Sequence, residues 1–533
     1  MDIIVYYVVI EHLIGKKIYI TYYRSLNVRL TDSNQLNVFL KLVFYSRQVT
    51  KFTIDSNSGT SVLFNIFSPF IITQNLTSLK LAYMEYNVPI KPGMIPSTLK
   101  ELTLPHDYNH PLQETFAITN DCLNYIPVFP ENELTKLYIT NSFNQPIFQN
   151  VLPKTLKELK IGTSFTQELY FESIPDSVTF LTLDCPYYNH QFAPGILPRN
   201  LIKLKIGNNV PLLPGSLPES LTYLKLCRHF NQPITANLLP KNLKKISFGS
   251  RFQSNFVPSE NIHTILFGNR MLCEPHSFTE NVRSVVVKSH RHNELPYTIN
   301  ELIIVAKKQK HIRFPVNLNY LELNCPDSFE FQKDQLKPLT GLKHLRLLSG
   351  DIKIHVNQIP ISLISLDLGG LVSKDPLDLN PLVNLEYFSL GGGPPQNITS
   401  PPTLRAMKFY GDEVEEFSNT IFPASLEILQ LPQYHVQPLS NSWLPSSLKI
   451  LIHPGDPVIA EDYRRPNLIK FYVGYLNESI LIYDRAFVDD NPNIVQSFKN
   501  KHNVIIEDYL NKNLPCQINN RYSEKFYMTD NQN

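Results

Sequence analysis

One phrase returns along this chain about every 22 residues, and it restricts the fold more than any other feature. It reads Leu-Pro-x-x-Leu-x-x-Leu-x-Leu/Ile, often followed by Phe-Asn-x-Pro-Ile. Leu152-Pro153-Lys154-Thr155-Leu156-Lys157-Glu158-Leu159-Lys160-Ile161 is one copy. Leu217-Pro218-Glu219-Ser220-Leu221-Thr222-Tyr223-Leu224-Lys225-Leu226 is another, and it runs on into Phe230-Asn231-Gln232-Pro233-Ile234. A period of this size belongs to stacked supersecondary units, each burying its core against its neighbours.

The first Leu of each Leu-x-x-Leu-x-Leu phrase serves as an anchor. Nineteen anchors satisfy the pattern: Leu76, Leu99, Leu134, Leu156, Val178, Leu201, Leu221, Leu243, Ile262, Val282, Ile299, Leu318, Leu342, Leu363, Leu385, Leu404, Leu426, Leu448 and Leu468. Twelve of the 19 have a proline three residues earlier, where 41 prolines in 533 residues would place one or two. The interval from Leu99 to Leu134 is longer than the rest and is read as hiding a degenerate unit near Leu123.

Counting the anchor as position 1, the apolar residues fall at 1, 4 and 6. Positions 4 and 6 alternate as in a strand and point to one face. Positions 2, 3 and 5 vary and face away from the core. Proline ahead of the anchor suits a turn into the strand and discourages helix on the return path. Position 10 is usually large (Tyr108, Phe143, Phe165, Val210, Phe230, Phe252) and is assigned to the core. Asn109, Asn144 and Asn231 follow it, and a buried amide there would satisfy backbone groups of the adjacent turn. The expected fold is a β-rich solenoid, a leucine-rich-repeat-like right-handed superhelix of about 19 repeats with a concave parallel β-sheet.

The repeat divides the chain into an N-terminal capping region (1–48), a solenoid (49–475), a C-terminal helix–strand cap (476–515, helix 492–502 and strand 504–506) and a polar tail (516–533). The 533 residues would ordinarily make three or four domains, a count that a solenoid escapes. Gly is scarce (19) and argues against phosphate-cradling loops. A net charge of +2 argues against global steering to nucleic acid. Six cysteines lack zinc or disulfide-framework spacing and read as reduced thiols of a cytoplasmic protein. The apolar run at the amino end is too short to span a bilayer and lacks signal-peptide flanks, so no membrane partner is expected.

Phe143-Asn144-Gln145-Pro146-Ile147 and Phe230-Asn231-Gln232-Pro233-Ile234, joined to the Leu-Pro phrase, resemble the signature of the FNIP repeat. Clear signatures cover about 95–255 and weaker ones extend to about 475. The resemblance implies a leucine-rich-repeat-like solenoid and no catalytic activity. Some family members carry an F-box or a kinase domain. This chain departs from both, since its first 50 residues lack an F-box opening and no kinase motif occurs.

Motifs for chemistry are weak. Gly391-Gly392-Gly393 lacks the lysine of a phosphate loop and reads as a repeat-junction loop. Cys273, His276, His290, His292 and His311 lack a second paired ligand set for zinc. Glu415-Glu416 lies in an acidic stretch, 412–416, that reads as solvated. No serine elbow or cysteine nucleophile context occurs, so no cofactor, metal or catalytic residue is assigned.

The remaining signal lies at positions 2, 3 and 5, which in leucine-rich repeats line the binding face. From Leu76 to Leu243 these positions hold ten lysines against Glu101 and Glu158. In the next three repeats position 5 turns apolar, as Leu266, Val286 and Ile303. A basic strip beside an apolar patch suits an acidic protein segment. Nucleic acid is disfavoured by the excess of Lys over Arg and the shortage of stacking rings. Lys157, Lys160, Lys203, Lys205, Lys225, Lys244 and Lys245 are the expected partner-binding residues, with Tyr138 and Tyr223 as anchors. The expected role is a non-enzymatic scaffold or adaptor. The alternatives are a structural repeat protein whose lysines only keep the sheet soluble, a recognition subunit of a larger enzyme complex, or an enzyme whose motif is not visible.

Overall fold

Each anchor opens onto a short strand, and successive strands pair in parallel with their leucines in register. In the computed structural model the described residues lie mostly between 76 and 454. Within that span 82–88, 118–122, 130–132, 269–277, 288–294, 306–312, 325–328, 349–351, 354–355, 370–376, 392–397, 410–421, 433–434 and 436 are excepted. Outside it 7–9, 25–29, 51–55, 469–473 and 480–481 are described. Anchor Leu468, the helix and strand expected at 492–506 and the tail lie outside the described residues. The chain divides into two compact units, residues 3–299 and 300–533.

In the first unit, thirteen described strands form a parallel ladder from Tyr7–Val9 to Ser284–Val287. In the second, nine run in parallel from Glu301–Val305 to Ile469–Val473. Ile480–Leu481 then pairs antiparallel with the last of these. The repeat count thus differs from 19, because Tyr7–Val9, Ser25–Arg29 and Lys51–Asp55 join the ladder ahead of the first anchor.

The leucine pattern explains the register. Leu159, Leu181, Leu204 and Leu224 sit opposite one another on consecutive strands, as do Ile161, Leu183, Ile206 and Leu226. A slip of one residue would turn this whole column to solvent. Every anchor from Leu76 to Leu448 is buried.

The proline has a clear use. At all twelve sites its carbonyl accepts the anchor's N–H and closes the turn into the strand, as in Leu156 to Pro153 (3.1 Å) and Leu221 to Pro218 (3.0 Å). Ser259, Thr279, Leu339 and Leu382 make the same bond where proline is missing. The carbonyl at position 2 then accepts two amides of the next rung. Lys157, for example, accepts from Thr179 and Phe180.

Behind the strands the large side chains stack. Ring centroids of Phe143 and Phe165 lie 6.1 Å apart, those of Phe165 and Tyr188 6.2 Å, and those of Phe230 and Phe252 6.5 Å. Val210 does not join them. It is half-exposed, and Leu212 is the buried residue of that return. The asparagines after the aromatic residue do bond to the next turn. Asn109, Asn144 and Asn231 accept the backbone N–H of Asn144, Thr166 and Gln253, respectively. These amides are half-exposed or exposed rather than buried, because the turn they serve is itself at the surface.

The long interval hides no rung. Glu101–Thr103 pairs directly with Lys136–Ile139. The extra residues form an antiparallel hairpin, Gln113–Ala117 against Leu123–Pro127, outside the ladder. Among the described residues the returns otherwise hold two short 3-10 turns (Ala236–Leu238 and Val356–Gln358), an isolated parallel bridge between Ile234 and Phe256, and two parallel strand pairs in the second unit.

Candidate functional site

Alternation places positions 3 and 5 on the face of the ladder opposite the leucines, and parallel register lines them up in columns. In the first unit one column runs Glu158, Phe180, Lys203, Tyr223, Lys245. The column beside it runs Tyr138, Lys160, Thr182, Lys205, Lys225, Ser247. All the residues singled out from the sequence are on this face except Lys157 and Lys244, which stand at position 2 on its border. Lys157, Lys160, Lys203 and Lys244 are exposed. Tyr138, Lys205, Tyr223, Lys225 and Lys245 are half-buried.

The basic strip is less uniform than its sequence. Lys80 is 3.2 Å from Glu101, Lys100 3.5 Å from Glu133, Lys136 3.8 Å from Glu158 and Lys205 3.4 Å from Asp184. Glu133 and Asp184 lie outside positions 2, 3 and 5, so a census of those positions misses them. Lys157, Lys160 and Lys244 have no ion pair among the described residues. Lys203 places its ammonium 4.8 Å from the centre of the Phe180 ring, and Lys245 lies 5.3 Å from that of Tyr223. The quadrupole of the ring favours a cation there.

Tyr138 and Tyr223 differ as anchors. Burial, reinforced by the charges of Glu158 and Glu101, raises the Tyr138 phenol above its ordinary pKa, and its hydroxyl is bonded to Glu158. Burial also raises the Tyr223 phenol, with Ser247 bonding to its hydroxyl. Both rings therefore stay neutral across the physiological range.

The apolar patch expected beside the strip is not a surface. Leu266, Val286 and Ile303 are buried. Leu266 and Val286 are direct register partners, and aliphatic side chains at the spacing of adjacent strands cover one another.

The second unit holds a cluster that the sequence reading passed over. Position 5 of successive repeats reads Glu322, Arg346, Asp367, Ser389 and Lys408. The Arg346 Nε donates to Asp367 (2.9 Å), its terminal nitrogen reaches Glu322 (3.4 Å), and the Tyr320 hydroxyl donates to Glu322 (2.7 Å). Burial works against the charge on Arg346, but Asp367 and Glu322 outweigh it and hold the guanidinium firmly protonated. His344, one column over, is pushed down to about 4 by burial and by Lys343. Alternating charge at one repeat position was the available signal. A further run at position 2 joins Arg405 and Lys449 to Glu427.

Among the described residues no group of three His, Cys, Asp or Glu side chains is gathered as a metal-ligand set. Cys273, His276, His290, His292, His311 and the acidic stretch 412–416 lie outside them. Gly391 follows the strand Tyr387–Leu390, and a Cβ added to it would lie 1.9 Å from the Gly369 carbonyl oxygen, so it is a packing glycine; Gly392 and Gly393 lie outside the described residues.

A family model described as FNIP Repeat matches residues 65–107, 125–164, 143–186, 165–209, 188–228 and 208–251. These six segments are similar to the FNIP repeat. The lysine and aromatic columns from Tyr138 to Lys245 fall within five of these six matched segments. No curated protein matches the chain in sequence. Among solved structures, the chain is similar to CroV588, a circular LRR protein, at 22% identity over 85% of this chain and 73% of that one, with a TM-score of 0.49. It is also similar to the TLR13 chain of a TLR13–ssRNA13 complex (13% identity, 86% and 83% covered, TM-score 0.45). A third is YopM from Yersinia enterocolitica WA-314 (17%, 83% and 92%, TM-score 0.28).

Proposed function

We propose that the chain is a non-enzymatic protein-interaction module that holds a partner against the open face of the first unit's FNIP-repeat ladder. One observation carries this reading: lysines and two aromatic rings, from rungs about 20 residues apart, converge in register on a solvent-facing sheet. A rigid ladder presents such side chains at fixed spacing, which lowers the ordering cost of binding. The rings supply contact area and the lysines long-range attraction. A cytoplasmic setting is part of the proposal. It is supported by free thiols at Cys185 and Cys227, each donating to a carbonyl of the preceding rung.

The test begins with proximity labelling in the native cell, followed by purification of the leading candidate. Direct binding is then measured to the wild-type chain and to the Lys203/Lys205/Lys225→Glu triple variant. At least about tenfold weaker binding, with an unchanged melting curve, is expected for the variant. Equal binding would remove this face as the docking surface.

A further inference from the structure

We infer that the occupant of this face is an extended acidic peptide segment of about six residues, lying across the rungs between Leu156 and Ser247. The inference rests on the function proposed above and narrows it to one ligand chemistry. Five rungs separated by about 4.8 Å give a footprint of roughly 19 Å, which an extended chain rising about 3.4 Å per residue covers with six residues. Within this footprint positions 2, 3 and 5 carry seven lysines, in a chain whose total charge is only +2. Among the described residues Glu158 pairs with Lys136, outside the footprint, and Asp184 pairs with Lys205. Outside the footprint the strip is largely neutralised, since Lys80, Lys100 and Lys136 have acidic partners. Among the described residues of the strip, the lysines without an ion pair, Lys157, Lys160 and Lys244, all lie on these five rungs, together with Lys203 over Phe180.

The two rings decide between an acidic peptide and a single-stranded nucleic acid. Phe180, Lys203, Tyr223 and Lys245 alternate along one column, with the ammonium of Lys203 over Phe180 and that of Lys245 over Tyr223. A base needs an open ring face to stack on, and these faces already carry cations. Positions 2, 3 and 5 of the five rungs also hold no arginine, the residue that recognises phosphate and base edges in planar fashion. What remains is a row of ammonium groups, alternating with aromatic rings along the column and set to meet the carboxylates of an extended segment. Phe180 and Tyr223 act as positioning residues, since each holds a lysine upright over the sheet.

The experiment titrates the full chain with fluorescein-labelled hexaglutamate and follows fluorescence anisotropy at two salt concentrations. A hexalysine peptide and a six-nucleotide oligo(dT) serve as controls. Hexaglutamate is expected to bind, to weaken with salt and to weaken about tenfold in Lys203→Ala/Lys245→Ala. Phe180→Leu, which keeps an apolar side chain but removes the ring, is expected to weaken it by a smaller factor without moving the melting curve. Oligo(dT) binding as tightly as hexaglutamate would overturn the inference in favour of nucleic acid. Hexaglutamate binding that is absent, or unaffected by Lys203→Ala/Lys245→Ala, would overturn it outright. If hexaglutamate fails while the Lys203/Lys205/Lys225→Glu variant still loses the native partner, the acidic segment is wrong and the protein-binding face stands. If that partner also binds the triple variant normally, the face is wrong as well.

Discussion

Leu224 and Lys160 each lie on a strand of the first unit, with opposite surroundings. Leu224 is buried between Leu204 and Ile246 in register, whereas Lys160 is exposed. Leu224→Ala is expected to cost about 2–5 kcal/mol of stability, read as a shift in the urea midpoint, because a close-packed column does not collapse onto a void. Lys160→Ala should move that midpoint by less than about 0.5 kcal/mol, and a large loss would invert the assignment of inside and outside. Glycine supplies a second contrast at this scale. A Cβ at Gly249 would sit 1.9 Å from the Cys227 carbonyl oxygen, while at Gly341 its nearest neighbour would be 3.7 Å away. Gly249→Ala should therefore lower the melting temperature strongly and Gly341→Ala scarcely at all. The sequence marks Gly249 only as one more residue after a strand. The close approach comes from the neighbouring rung's backbone, which is remote in the chain.

The strand-borne cluster of the second unit sets the element scale. Replacing Arg346 with Met leaves Glu322 and Asp367 buried without their shared cation, and is expected to cost about 3–5 kcal/mol. Denaturation of Arg346→Met beside Lys337→Met, an exposed pair partner, separates burial from mere charge loss. His344 gives this region a pH dependence. The folded chain keeps the imidazole neutral down to about 4, while the unfolded chain takes up its proton near the ordinary value of 6.5. Stability from this group is full above 6.5 and is lost as pH falls towards 4, by up to about 3 kcal/mol. His344→Gln should flatten the acid limb of the stability profile between those two values. An unchanged limb would mean that another group carries it.

At the scale of the whole molecule the repeat behaves as a set of rungs joined neighbour to neighbour, and what lies outside the ladder is separable from it. The hairpin between Glu101–Thr103 and Lys136–Ile139 is the test. The Val128 amide donates to the Leu112 carbonyl at 2.9 Å, so the hairpin's base is already closed. Replacing residues 113–127 with two glycines restores an interval of about 22 residues. The shortened chain is expected to keep its far-ultraviolet circular dichroism and to melt within a few degrees of the parent. Loss of cooperative melting would show that the hairpin supports the ladder.

The leucine face of each rung, the turn at the proline and the parallel stacking were legible in the sequence, because they follow from periodicities within one repeat. Leu-x-x-Leu-x-Leu turns its own side chains inward whatever lies beside it. The partners of those side chains were not legible. Asp184 beside Lys205, Glu133 beside Lys100, the burial of Leu266 and Val286, and the Glu322–Arg346–Asp367 cluster all join residues one rung or more apart. Such contacts depend on strand register and on which side chain reaches across 4.8 Å to its neighbour. Stacking sets those distances, and no single repeat contains them.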